Sequence, residues 1–203
     1  DALLAQTECV CICSPNETHA FYAIRALEKG RGVLCEKPLG GTDAEMERLT
    51  ALCSKPLPTN MTGYNYRYQN AYQAIARCIA DGAIGKPWLY RELYGGIRLA
   101  NPDVPYEWRM DHALARGGAM FDFGSHMLDH FLFFCNAGAN EVNSLGVRRS
   151  TLIPMRRDGK VQRAVTTDDC AVLTLTTKAN TTVDLTCMRV GCPGESIEMV
   201  GEN

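Results

Sequence analysis

The segment at 9–38, CVCICSPNETHAFYAIRALEKGRGVLCEKP, places one helix-like run between two short apolar runs. The runs Cys9 to Cys13 and Val33 to Cys35 have the continuous apolar character expected of strands covered on both faces. Between them, Asn16 is a suitable N-cap for a helix over 17–29. Strand, helix and strand in this order predict a βαβ unit, and therefore a parallel sheet.

The same alternation continues toward the middle of the chain. Thr42-Asp-Ala-Glu45 is a capping box that opens a helix, and a third strand is expected at 61–64. Ligands of open parallel sheets bind beyond the carboxyl ends of the strands. Three polar segments, at 14–16, 36–38 and 65–67, follow predicted strands, so we expect a binding site at this edge.

The second part of the sequence has a different character. After a helix over 70–81, a half-exposed strand and several runs rich in Val, Thr and Leu are typical of an antiparallel sheet, with one apolar helix over 119–135. The predicted strands are 88–97, 142–147, 171–177, 181–190 and 196–200. The sequence therefore predicts an α/β part over 1–66 and an α+β part over 67–203, whose sheet is large and mainly antiparallel.

Composition excludes several classes of protein. The 203 residues are 46% hydrophobic and 22% charged, and the net charge of -2 provides no field that would attract nucleic acid or anionic lipid. No apolar run approaches the roughly 20 residues of a membrane span. The ten cysteines form no CxxC pair, which indicates reduced thiols and a cytoplasmic protein. Cys9, Cys11 and Cys13 share one strand face, as metal ligands would, but buried apolar thiols are the simpler interpretation.

Three groups of side chains are candidates for chemistry. Asp122 and His126 are four residues apart, so on a helix the carboxylate is near enough to orient the imidazole or tune its pKa. Lys37 follows a strand, where it either meets a polar ligand or belongs to a solvated turn. Arg109, after Trp108, either holds a carboxylate, phosphate or carboxamide oxygen, or makes a structural cation–π contact.

A metal site is not expected. The run from His126 to His130 is similar to the inverted zinc signature H-x-x-E-H, but it has Asp where that signature has Glu. With four histidines in the chain and no obvious third ligand, we interpret His130 and His112 as surface or core side chains. His19 is a further binding candidate because it lies near a strand end.

Six segments in one order resemble the Gfo/Idh/MocA family of nicotinamide-dependent sugar and cyclitol dehydrogenases. They are Ser14-Pro-Asn-Glu-Thr-His19, Glu36-Lys-Pro38, Gly63-Tyr-Asn-Tyr-Arg67, Gly82-Ala-Ile-Gly-Lys-Pro87, Trp108-Arg109 and Gly117-Gly-Ala-Met-Phe-Asp-Phe-Gly-Ser-His-Met-Leu-Asp129. The resemblance implies that 1–66 is the second part of a Rossmann-type dinucleotide-binding domain. It also implies that 67–203 is a domain for substrate binding and oligomerisation, incomplete at its C-terminus.

The resemblance also implies roles for individual residues. His126 would exchange a proton with the substrate hydroxyl, Asp122 would bind the substrate or orient His126, and Lys37 would hold the hydroxyl. The implied contacts with NAD or NADP are Ser14, Pro15, Asn16, His19, Glu36 and Lys37, with Asn65, Arg67, Trp108 and Arg109 as further lining.

The expected function is hydride transfer between NAD(P) and a secondary alcohol or ketone of a sugar, cyclitol or related diol, in a homodimer or homotetramer formed through the open sheet. The sequence holds no G-x-G-x-x-G turn. We therefore expect an N-terminal piece to be absent, and these 203 residues alone to bind cofactor weakly. Two alternatives are a non-catalytic dimerisation or regulatory paralogue, and an NAD-dependent glycosidase of the same superfamily.

Overall fold

The computed structural model describes residues 2–138, 141–191 and 194–203. Within these ranges the helices are α1 (Ala2–Gln6), α2 (His19–Glu28), α3 (Asp43–Cys53), α4 (Asn70–Ala80), α5 (His112–Ala115) and α6 (Ser125–Phe134). The strands are β1 (Cys9–Ile12), β2 (Gly32–Cys35), β3 (Asn60–Thr62), β4 (Pro87–Gly95), β5 (Val142–Ser150), β6 (Met155–Asp158), β7 (Val161–Ala164), β8 (Cys170–Thr177), β9 (Thr182–Met188) and β10 (Gly194–Gly201). None of the described helices is long and apolar enough to cross a bilayer.

The first sheet confirms the predicted parallel arrangement. Its order is β1-β2-β3, and both pairs of neighbours are parallel. The helix α2 packs its small residues Ala23 and Ala26 against Val33 and Cys35 of the sheet. The predicted capping box is present at the start of α3, where Thr42 and Glu45 cap each other's backbone amides. The sheet therefore brings the carboxyl ends of its strands to one edge.

Two local predictions for this part are wrong. The helix begins at His19, after a 3-10 turn at Asn16–Thr18, so Asn16 is not its N-cap. The Asn16 amide instead donates to the carbonyl of Ala115 at 3.0 Å and ties this loop to the second part of the chain.

The predicted burial of the cysteine run is also wrong. Cys9, Cys11 and Cys13 are exposed. Alternation along β1 directs Ile12 toward α2 and its core, which leaves the thiols on the opposite face.

The larger sheet has the order β10-β4-β9-β8-β5. Its neighbours are antiparallel except for the parallel pair β4 and β9, which confirms a mainly antiparallel sheet. One face packs against α4 and α6, and the buried core includes Tyr90, Phe131, Leu175 and Leu185. The hairpin of β6 and β7 was not predicted, although Gly159-Lys160 is a two-residue loop of the Gly-X kind and Gly159 has a φ of +60°.

The predicted helix over 119–135 forms as two consecutive helices of different type. Met120–Gly124 forms a π-helical turn, and α6 follows it directly. The carboxylate of Asp168 accepts hydrogen bonds from the amides of Gly118 (3.0 Å) and Met120 (2.9 Å), which fixes the start of this turn. The wider π turn sets the direction of Asp122 relative to the following helix.

We expect Gly118→Ala to destabilise the full-length protein by about 2 to 3 kcal/mol. A Cβ at Gly118 would lie 1.9 Å from the carbonyl oxygen of Asp168, so the backbone must move to admit it. Urea unfolding measures the loss. Gly146→Ala is the matched control, because its Cβ would lie 4.0 Å from the nearest backbone oxygen. Equal stability of the two variants would contradict the close contact at Gly118.

Candidate active site

A cleft of about 220 Å³ lies where the carboxyl ends of β1 and β2 face the segment that precedes α6. Eight predicted site residues line it: Ser14, Asn16, His19, Glu36, Lys37, Trp108, Arg109 and Asp122. Arg189, which no sequence pattern indicated, also lines it. The structure therefore brings together most of the side chains that the sequence predicts.

Lys37 lies two residues beyond the end of β2, and its side chain crosses to the π turn. Its Nζ donates to the Oδ1 of Asp122 at 2.8 Å and to the carbonyl of the same residue at 2.9 Å. The side chains of Lys37 and Asp122 are 18% and 26% exposed, so the pair is partly screened from water. The ammonium group is thus held at the base of the cleft by two acceptors from one residue.

Asp122 lies between two cations. While Lys37 bonds to Oδ1, the guanidinium of Arg189 lies 3.4 Å from Oδ2, and Arg189 is only 4% exposed. Burial alone would raise the pKa of Asp122, but Lys37 and Arg189 outweigh it and hold this pKa below its ordinary value. The carboxylate is therefore ionised, and it fixes Lys37.

His126 lies in the first turn of α6, next to the cleft. Its ring packs edge-on against Tyr64 and Tyr66, with centroid distances of 5.7 and 4.8 Å. Burial, with the nearby Lys37 and His130, lowers the pKa of His126 to about 4. Its Nδ1 is buried and makes no hydrogen bond within the described chain, and no hydrogen bond joins the ring to Asp122. The imidazole is neutral at pH 7 and able to accept a proton.

His19 connects the two loops that form the edge of the cleft. It is 1% exposed, and its ring nitrogens Nδ1 and Nε2 lie 2.8 Å from the carbonyl of Pro38 and 2.7 Å from that of Ser14. Both nitrogens are thus occupied by backbone. The ring positions the loop that carries Lys37.

Three predicted lining residues lie outside the set that surrounds the cleft. The guanidinium of Arg67 forms two hydrogen bonds with the carboxylate of Asp129, at 2.8 and 2.6 Å. The carbonyl of Pro15 accepts hydrogen bonds from the amide and the hydroxyl of Thr18, at the end of the 3-10 turn Asn16–Thr18. Asn65 begins a second 3-10 turn. Arg67 is therefore paired with Asp129.

Arg109 and Arg189 are held at the cleft by different contacts. Arg109 stacks over Trp108 at 4.4 Å, so the cation–π contact is formed, and its side chain also lines the cleft. Arg189 follows β9 directly, and its guanidinium also donates to the carbonyl of Arg109 at 3.1 Å. A basic residue at a strand end was the one available signal for Arg189.

Two family models match the chain. The GFO/IDH/MocA C-terminal domain matches residues 72–203, and the oxidoreductase family with an NAD-binding Rossmann fold matches residues 1–64.

Individual relatives agree with these matches. A levoglucosan dehydrogenase from Pseudarthrobacter phenanthrenivorans is 32% identical over 145 residues, which are 71% of this chain and 36% of the relative. A D-xylose 1-dehydrogenase named for NADP(+), from Haloarcula marismortui, is 31% identical over 131 residues, which are 64% of this chain and 36% of the relative.

A solved structure of levoglucosan dehydrogenase in complex with NADH has a TM-score of 0.87 at 27% identity, covering 97% of this chain and 52% of that chain. The chain thus spans about half the length of this solved relative. The matched sheets, the segments at the strand ends and both family models lead to one conclusion: the chain belongs to the GFO/IDH/MocA family of oxidoreductases.

Proposed function

We propose that the full-length protein transfers hydride between NAD(P) and a secondary alcohol or ketone of a sugar, cyclitol or related diol. The observation that carries this proposal is the pairing of Lys37 with an ionised Asp122 beside the neutral imidazole of His126. Such a site holds an alcohol oxygen and removes its proton. Two relatives are named as dehydrogenases of levoglucosan and D-xylose, which supports a carbohydrate substrate.

The side chains at the strand ends fit the nicotinamide end of the cofactor. Ser14, Asn16 and Glu36 line the same cleft, and their hydroxyl, amide and carboxylate groups are of the kinds that bond the carboxamide and ribose hydroxyls of such a molecule. When bound, the nicotinamide supplies the hydride acceptor or donor. No G-x-G-x-x-G turn occurs in the 203 residues, so we assign no pyrophosphate contact to them. Because relatives with NADH and NADP(+) both occur, we propose NAD(P) without a preference.

The proposed proton transfer in the oxidation direction uses this chain's own groups. The ammonium of Lys37 donates a hydrogen bond to the substrate oxygen and stabilises the negative charge that develops there. His126 takes the hydroxyl proton, which its neutral state allows. Asp122 holds Lys37 in place and makes no proton transfer itself, because cations occupy both of its oxygens.

The pH dependence of kcat/KM tests the role of His126. Because the pKa of His126 is lowered to about 4, the base is neutral above that value, and activity falls only as pH falls through it. We therefore expect an acid limb near pH 4 for polyol oxidation, well below the roughly 6.5 of an ordinary histidine. Initial rates with saturating cofactor measure this limb. A limb centred on the ordinary histidine value would contradict the assignment.

We also propose that the larger sheet pairs with a second copy of the chain, in a homodimer or homotetramer. The face opposite α4 and α6 carries half-buried Leu89, Leu93 and Val172, which lie outside the main core cluster. Their apolar character suits a covered surface.

A cytoplasmic location is proposed as well, because the nine described cysteines are all unpaired.

A further inference from the structure

Arg189 is the most deeply buried cation among the described residues that line the cleft. Its side chain is only 4% exposed, and the residue directly follows β9. Its backbone amide donates to the carbonyl of Asp169 at 2.7 Å, just before β8, so the bonding between the two strands continues through this residue. The larger sheet therefore fixes the backbone from which the guanidinium reaches the cleft.

The guanidinium of Arg189 bonds two groups from separate segments of the chain. Its Nη2 lies 3.4 Å from the Oδ2 of Asp122 in the π turn, and its Nη1 donates to the carbonyl of Arg109 at 3.1 Å. The hydroxyl of Thr167 donates to the same carbonyl, also at 3.1 Å. Within the described ranges, Asp122 is the only carboxylate at ion-pair distance from Arg189. One side chain thus joins the π turn to the segment that carries Arg109.

The base of the cleft carries one more buried positive charge than negative. Lys37 and Arg189 flank the carboxylate of Asp122, and the two cationic side chains are 18% and 4% exposed. Glu36 and Arg109 also line the cleft, but both are exposed, so water and salt screen their charges. If Arg189 were neutral, Lys37 and Asp122 would form a neutral pair. The carboxylate would then offset much of the field that the ammonium exerts on a substrate oxygen.

We propose that Arg189 is a positioning residue for hydride transfer, and that it acts through Asp122. By binding Oδ2, it confines Asp122 to holding Lys37, and it leaves the site with a net positive charge toward the alkoxide that develops in the transition state. This inference rests on the proposed function, because it assigns Arg189 a part in that reaction. Since Arg189 acts away from the reacting atoms, its loss should lower kcat more than it raises KM.

The ionisation of Asp122 supports this role. Burial raises the pKa of Asp122, whereas Lys37, followed by Arg189 and Arg109, holds this pKa below its ordinary value. Removal of the charge of Arg189 takes away one of these cations while the burial remains. The pKa of Asp122 should therefore rise in a neutral variant, and this rise can be measured without substrate or cofactor.

Two variants of the full-length protein separate the charge of Arg189 from its hydrogen bonds. Arg189→Gln keeps a side chain that donates hydrogen bonds but has no charge. We expect its kcat for polyol oxidation to fall about 10 to 100-fold, less than the loss for Lys37 because Arg189 acts through Asp122, while KM changes far less. Arg189→Lys keeps the charge and should recover most of this loss. The appearance of reduced nicotinamide measures both rates.

Arg156→Gln is the matched control for the loss of a buried arginine. Arg156 is 3% exposed, and its guanidinium donates to the backbone carbonyls of Leu99 and Asn101 instead of a carboxylate. This variant should be less stable in urea but keep the kcat of the wild type. A fall in its kcat as large as that of Arg189→Gln would overturn the proposal, since any buried arginine would then have the same effect.

Carbon NMR of protein labelled with ¹³C at the aspartate carboxyl provides the readout that needs no substrate. The signal of Asp122, assigned by its absence in Asp122→Asn, should titrate at higher pH in Arg189→Gln than in the wild type or Arg189→Lys.

Three results would overturn the role of Arg189. They are a folded Arg189→Gln with the kcat of the wild type, a folded Arg189→Lys that has lost most of that kcat, and an Asp122 signal that titrates at the same pH in Arg189→Gln and the wild type. If the Asp122 titration shifts as expected but the wild type transfers no hydride, the proposed function is contradicted, while the pairing of Arg189 with Asp122 stands.

Discussion

Replacement of Lys37 by Met should lower kcat/KM for polyol oxidation about 10² to 10³-fold in the full-length protein. The Nζ of Lys37 is held by two oxygens of Asp122, at 2.8 and 2.9 Å, before any substrate binds. This preorganisation makes the ammonium effective at the alkoxide that forms in the transition state. The appearance of reduced nicotinamide measures the rate.

Two further measurements separate this role from a general loss of structure. Lys86→Met removes an exposed lysine in the turn before β4 and should leave kcat/KM within about twofold of wild type. Cofactor affinity, measured by quenching of protein fluorescence, should change far less than kcat in Lys37→Met. A Lys37→Met enzyme with nearly full kcat would remove Lys37 from the chemistry.

The second large effect is expected for His126→Asn. Loss of the general base should lower kcat by about 10² to 10⁴-fold, and the acid limb near pH 4 should disappear with it. Asparagine retains polarity at the position but accepts no proton at neutral pH. The measurement is the pH profile of kcat/KM for wild type and variant side by side.

A matched histidine provides the control for this variant. His112, on α5, is exposed. The His112→Asn variant should therefore keep the kcat of the wild type and the acid limb of its pH profile. A limb that persists in His126→Asn would assign the titration to another group.

The sequence predicted the two sheets well because their strands have clear patterns. Continuous apolar runs identified β1 and β2, and the runs rich in Val and Thr identified β8 and β9. Residues at the strand ends, above all Lys37, followed from the rule that parallel sheets bind ligands at their carboxyl edge. These features depend on local patterns, which is why they could be predicted.

The features that were missed depend on contacts between distant segments. The π turn follows from hydrogen bonds of Asp168 to Gly118 and Met120, some 50 residues away. Asp122 lies in that turn and pairs with Lys37 and Arg189, which are 85 and 67 residues away in the sequence, and not with His126. No spacing within one element encodes such contacts.

The most direct test of the central claim is hydride transfer itself. The full-length protein is incubated with NAD(P)+ and polyols deuterated at the reacting carbon, and the reduced cofactor is examined by mass spectrometry. We predict deuterium on the nicotinamide and an equal amount of ketone product. Unlabelled cofactor, or a sugar released by hydrolysis without net reduction of NAD(P)+, would contradict the proposed function.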